Sequence, residues 1–184
     1  MVFVDLGKVS WAQSAIENLV AQGIIQGRSV YKFAPTQNIS RAEFVTLLVR
    51  ALNLTSTGSS ATFSDVNSGA WYSDAISIAV NAGLVQGSGS GKFEPGREIT
   101  REEMAIMVAN ALRTKGQLQS VDNSAVLHKY DDQSKIASYA QESVAQLTNL
   151  GIINGISTDQ FEPKGNTNRA QAAVIIYRIL NLAS

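Results

Sequence analysis

The chain has 184 residues, 45% of them apolar and 16% charged, a length for one or two domains and a composition that can bury a core. Fifteen Lys+Arg balance fifteen Asp+Glu, which speaks against a nucleic-acid binder or a polybasic membrane binder. Without cysteine there is no disulfide framework, zinc-thiolate site or thiol nucleophile. No window approaches a signal peptide or a membrane span.

The first predicted helix runs from about Trp11 to Gln22. Ala12, Ala15, Ile16 and Leu19 keep helical spacing, and Gly23 stands where a C-terminal cap belongs. Gly23-Ile24-Ile25-Gln26-Gly27 and Phe33-Ala34-Pro35 then form a loop. A second helix starts at Ser40, with the stripe Phe44, Leu47, Leu48, Ala51, Leu52. The small polar stretch Thr55-Ser56-Thr57-Gly58-Ser59-Ser60 reads as a linker. The pattern then returns, with Trp71, the stripe Ala75, Ile76, Ala79, Gly83-Leu84-Val85-Gln86-Gly87 and Phe93-Glu94-Pro95. Its second helix starts at Thr100 and carries Met104, Met107, Val108, Ala111, Leu112.

A second linker, about Thr114 to Lys129, holds the single histidine, His128. A third copy follows, with Tyr139, the stripe Ala140, Val144, Leu147, Gly151-Ile152-Ile153-Asn154-Gly155 and Phe161-Glu162-Pro163. Its second helix starts at Asn168 and carries Ala172, Ile175, Ile176, Ile179, Leu180. The offsets match: the second glycine stands eight residues before the proline, and an arginine six residues after it, in all three copies. A start signature repeats as Phe3-Val4-Asp5, Phe63-Ser64-Asp65 and, one residue out of step, Tyr130-Asp131-Asp132. The chain is thus a triplication of units of about 60 residues. The boundaries are 1–54, 63–113 and 130–184, with linkers 55–62 and 114–129. One unit cannot bury both stripes alone, so the expected fold is all-α: three helix-loop-helix repeats around a pseudo-threefold axis, second helices innermost, without long strands.

Ser40-Arg41-Ala42-Glu43 and Thr100-Arg101-Glu102-Glu103 have the form of a capping box, and Asn168-Arg169-Ala170-Gln171 is its amide version. Each cap contributes about 1 kcal/mol. Arg41, Arg101 and Arg169 fit less easily, since a cation in the first turn opposes the helix dipole at about 0.3–1 kcal/mol. Two explanations stand: a salt bridge to a neighbouring unit's acid, or an anion site where the guanidinium fork joins free backbone N–H groups at the helix start. In the second, losing the arginine costs binding and leaves the fold intact. Trp11, Trp71 and Tyr139 are either core anchors or the edge of a groove that stacks on a sugar face. Gly27, Gly87 and Gly155 either make a turn with positive φ or admit a ligand close to the backbone.

These residues resemble the S-layer homology domain family, as three consecutive modules covering nearly the whole chain. The resemblance lies in the Phe-x-Asp start, the Trp/Tyr of the first helix, Gly-Ile-x-x-Gly, Phe-x-Pro and the motif Ile-Thr-Arg-Ala-Glu. That motif stands here as Ile39-Ser40-Arg41-Ala42-Glu43, Ile99-Thr100-Arg101-Glu102-Glu103 and Thr167-Asn168-Arg169-Ala170-Gln171. The resemblance implies a monomeric, three-pronged pseudo-trimer with grooves between modules, acting as a non-catalytic anchor on the bacterial cell surface. Its implied partner is a secondary cell-wall polysaccharide bearing pyruvate ketals on N-acetylmannosamine, with the motif arginines on the pyruvate carboxylate. Asp5 and Asp65 are candidate sugar or structural contacts. The third copy departs most, lacking the cap hydroxyl and the Glu.

No cofactor or metal is implied: Asp65-Val66-Asn67-Ser68-Gly69 opens like a calcium loop, but Ile76 stands where the bidentate Glu belongs. Asp65, Asp74, Glu102 and Asp132 make no evident pair of opposed carboxyls, so no catalytic residue is assigned. A protein-interaction or self-assembly module of a surface layer is the competing expectation.

Overall fold

The computed structural model describes residues 3–55, 58 and 60–182. Among them are seven α-helices: α1 (Ser10–Ala21), α2 (Arg41–Ala51), α3 (Ser73–Asn81), α4 (Arg101–Thr114), α5 (Asn123–Leu127), α6 (Ser138–Asn149) and α7 (Arg169–Leu180). The described residues form no extended strand, only isolated bridges, and the protein is mainly helical as its periodicity requires. No described helix is long and apolar enough to cross a membrane. Of the first expected linker, Ser56, Thr57 and Ser59 lie outside the described residues. The second is not wholly irregular: Asp122 caps the short α5, which packs on α6.

The helix pairs are exchanged between repeats. α1 packs on α7, α3 on α2 and α6 on α4, so each first helix lies against the second helix of another repeat. α2 also touches α4 and α7. Ala12, Ile16 and Leu19 of α1 bury fully in this way, as do Phe44 and Leu48 of α2.

Hydrogen bonds from the loops close a ring. The Ile39 N–H donates to the Thr167 carbonyl (2.9 Å), Thr167 to Ile99 (3.0 Å) and Ile99 to Ile39 (3.1 Å). Each second helix then uses the next repeat's loop to satisfy its first two amides. Arg41 and Ala42 donate to Arg97 and Pro95, Arg101 and Glu102 to Gly165 and Pro163, and Arg169 and Ala170 to Gln37 and Pro35. The third amide goes to the cap side chain, and all three capping boxes are complete. The orphan donors of a helix start are therefore all used. This corrects the expectation of free N–H groups beside the motif arginines.

The Phe-x-Pro turn is built by the start signature. Asp5 accepts from the Phe33 and Ala34 amides (3.0 and 2.8 Å), Asp65 from Phe93 and Glu94 (both 2.8 Å), and Asp132 from Phe161 and Glu162 (2.8 and 2.7 Å). The clamp holds Ala34, Glu94 and Glu162 at φ of 59°, 60° and 58°, a left-handed conformation that costs a residue with a Cβ about 1–2 kcal/mol. Both oxygens of Asp5 and Asp65 accept backbone amides, so each has the structural role among the two expected for it. The one-residue shift in the third start is absorbed before α6, and Tyr130 packs on Phe161 as Phe3 does on Phe33 and Phe63 on Phe93.

Candidate functional site: three inter-repeat grooves

The motif arginines are buried. Each lies over the Phe of the next repeat's Phe-x-Pro turn: Arg41 on Phe93 and Arg101 on Phe161, both 4.9 Å from the ring centre, and Arg169 on Phe33 at 4.6 Å. Each Nε donates to that same residue's carbonyl, at 3.1, 2.7 and 3.0 Å. Each Nη2 donates to the residue before the second glycine: Gln86 (3.4 Å), Asn154 (2.5 Å) and Gln26 (2.6 Å). The guanidinium thus joins one helix start to the adjacent loop.

The salt-bridge expectation holds at one position, Arg41 Nη1 to Glu103 at 3.4 Å. Among the described residues no carboxylate pairs with Arg101 or Arg169, and their Nη1 groups have no acceptor. Burial pushes the Arg41 and Arg101 pKa values down, with Glu103 and Glu162 respectively opposing the shift. Arg169 falls to about 10, through burial and then the charge of Arg28. All three remain cations at neutral pH. Their carbonyl bonds mean that their loss costs stability as well as any binding, which revises the expectation of an untouched fold.

Each arginine forms the floor of an open groove that draws on all three repeats. The Arg41 groove, about 490 Å³, adds Gln86, Gly87, Glu103 and Asn110 from the second repeat and Tyr139 from the third. The Arg101 groove, about 470 Å³, adds Asn154, Gly155, Gln171 and Arg178 from the third and Trp11 from the first. The Arg169 groove, about 230 Å³, adds Gly27, Glu43 and Arg50 from the first and Trp71 from the second.

The aromatics stand at the rim. Trp11, Trp71 and Tyr139 are 59%, 64% and 70% exposed, which rules out the core-anchor explanation for each. Gly27, Gly87 and Gly155 line the grooves, but their φ values are not positive, so the turn explanation fails. A Cβ would sit 2.5 Å from a Phe3 ring carbon at Gly27 and 2.7 Å from the Lys92 carbonyl at Gly87. At Gly155 it would sit 2.5 Å from the Ser157 carbonyl and 2.9 Å from the Tyr130 ring. These glycines make room for the start-signature aromatic and their own loop. Positive φ belongs to the preceding glycines, Gly23, Gly83 and Gly151, at 71°, 72° and 68°.

Several groove residues were not evident from motifs. Arg28 and Arg97 pair with the capping-box acids Glu43 (2.6 Å) and Glu103 (2.5 Å). Burial raises the pKa values of both acids, while these arginines and the cap amides of Ser40 and Thr100 more than offset it. Both carboxyls lie below their ordinary value. Arg50, Asn110 and Arg178 recur nine residues after the motif arginines, a spacing that could have revealed them. Glu102 is only 2% exposed and accepts from the Ala137 amide (3.1 Å) and from Lys164. It belongs to the packing of α6 against α4.

Three clefts on a helical scaffold, each with a cation at its floor and an aromatic at its rim, define a repeat-built binding module. The family model of the S-layer homology domain matches residues 2–45, 62–105 and 129–173, and the chain belongs to that family. It is 38% identical over 94% of its length to an amylopullulanase of Thermoanaerobacterium thermosulfurigenes, of which the match covers 9%. It is 35% identical over 98% of its length to the exoglucanase XynX of Acetivibrio thermocellus, covering 16% of that protein. It is 31% identical over 95% of its length to the S-layer protein sap of Bacillus anthracis, covering 20%. The chain therefore spans between 9% and 20% of the length of these relatives, and the enzymes among them are matched only over a small segment.

Proposed function

We propose that this chain is a non-catalytic anchor that holds a larger surface protein to the bacterial cell wall by binding an anionic, pyruvylated secondary cell-wall polysaccharide in its grooves. We take 1–54, 63–113 and 130–184 as its modules. Family membership supports the anchoring role, and S-layer proteins and polysaccharide-degrading enzymes among the relatives fit a module shared by otherwise different surface proteins. The observation that carries the reading is the threefold recurrence of an exposed aromatic across an open cleft from a buried guanidinium. The aromatic offers an apolar face to a pyranose ring. The guanidinium, already held by two carbonyls, presents its remaining donors to a carboxylate.

Calorimetric titration with a pyruvylated N-acetylmannosamine disaccharide, beside its non-pyruvylated twin, tests this. Binding to the pyruvylated form alone is expected. Equal binding to both would remove the carboxylate from recognition, and binding to neither would favour a surface-layer self-assembly module.

A further inference from the structure

The three grooves differ in charge. In the Arg41 groove, Arg41 and Arg97 are matched by Glu94 and Glu103, with Glu103 paired to both arginines. The Arg101 groove contains Arg101 and Arg178 and no acid, because Gln171 stands where the other repeats have Glu. In the Arg169 groove, Glu43 is taken by Arg28, leaving Arg169 and Arg50. The decisive position is the ninth after the motif arginine: Arg50, Asn110 and Arg178.

A structural duty does not account for the charge there. Arg178 Nη1 donates to the Ile152 carbonyl (3.0 Å), tethering the loop after α6. Asn110 Nδ2 makes the equivalent bond to the Leu84 carbonyl (3.1 Å) without a charge. Arg50 is exposed and lines its groove without such a tether. Two grooves thus carry a second cation beyond what packing needs, and the third is neutralised internally.

We infer that Arg50 and Arg178 are the second cations of two carboxylate-binding grooves, those of Arg169 and Arg101, and that the Arg41 groove does not take the anion. The inference rests on the anchoring function proposed above. A second guanidinium adds a charge-assisted bond to the ligand carboxylate, whereas in the Arg41 groove that carboxylate would have to displace Glu103 from both its arginines.

The test is calorimetry on the full chain with the pyruvylated disaccharide and its non-pyruvylated twin. Two sites per chain are expected. Arg178→Asn, which copies the tether of Asn110, and Arg50→Asn should each weaken one site by about tenfold or more. Asn110→Ala should leave both sites intact, and Glu103→Gln combined with Asn110→Arg should create a third. Three sites in the parent chain, or two sites insensitive to both arginine variants, would overturn the inference while leaving the anchor function standing. A site lost in only one of the two variants overturns it for the other groove. No binding of either sugar by the parent chain overturns the anchoring reading and this inference with it. Unchanged circular dichroism and melting temperature in the asparagine variants separate a lost site from a lost fold.

Discussion

The first and third repeats carry different residues at several positions that do the same work. Tyr130 stands for Phe3, Tyr139 for Trp11, Thr167 for Ile39, Asn168 for Ser40 and Gln171 for Glu43, with one extra residue before α6. Yet the third repeat forms the same clamp, the same ring bond and a complete capping box. The replacements keep hydrogen-bond geometry and shape, and one of them, Gln171 for Glu43, discards a charge. The difference teaches that the scaffold depends on where donors and acceptors stand, while the grooves depend on which of them are charged.

The strongest way to break the likeness is to fill the space under the start aromatic. Gly155→Ala drives a Cβ into the Ser157 carbonyl and the Tyr130 ring, and should cost about 3 kcal/mol in urea unfolding. Gly151→Ala, with open space but φ of 68°, should cost only about 1 kcal/mol. Next comes the clamp. Asp132 is buried, so Asp132→Ala strands the Phe161 and Glu162 amides and should cost about 2 kcal/mol. Asp65→Ala, at a half-buried carboxylate, should lower the melting temperature less.

Restoring residues of the other repeats should sharpen the comparison in the opposite direction. The Tyr130 and Thr167 hydroxyls are buried without a hydrogen-bond partner, where the earlier repeats have Phe and Ile. Tyr130→Phe and Thr167→Val should each raise stability by about 1 kcal/mol. The smallest effect is one of acidity. Asp5, Asp65, Glu43 and Glu103 have folded pKa values below the ordinary 3.8 and 4.5. For Asp5 burial pulls upward and the Phe33 and Ala34 amides outweigh it; for Asp65 the Phe93 amide is the largest influence. A depressed folded pKa gives stability that is complete above the unfolded value and lost as pH falls through the folded one. Hydrogen exchange on acidification below about pH 4.5 should loosen the starts of α2 and α4 before that of α7, whose box is built from two amides.

The helices and their caps were legible because stripes, caps and glycines recur at fixed offsets; Ser40, Thr100 and Asn168 cap as expected. The exchange of helix pairs was not legible, since a stripe shows that a helix has a partner but not which repeat supplies it. The motif arginines were singled out correctly as residues that the helix alone does not explain. Their carbonyl partners belong to the next repeat and left no signal around Arg41, Arg101 or Arg169. The turn explanation for Gly27, Gly87 and Gly155 failed because a glycine required by φ and one required by a close contact look alike in sequence. Arg50 and Arg178 went unnoticed because Asn110 interrupts the charge at their position.

The pairing of α1 with α7 also imposes an order in time. α1 is synthesised first and its partner last, with nearly the whole chain between Ser10 and Arg169. At typical elongation rates of about 5–20 residues per second, the interval is about 8–30 seconds. Throughout it Ala12, Ile16 and Leu19 have no α7 to cover them, and the native ring cannot close from either end alone. Long-range closure of this kind slows folding. The three-repeat ring therefore stays open until the third repeat is made, and its first helix is the last to be covered.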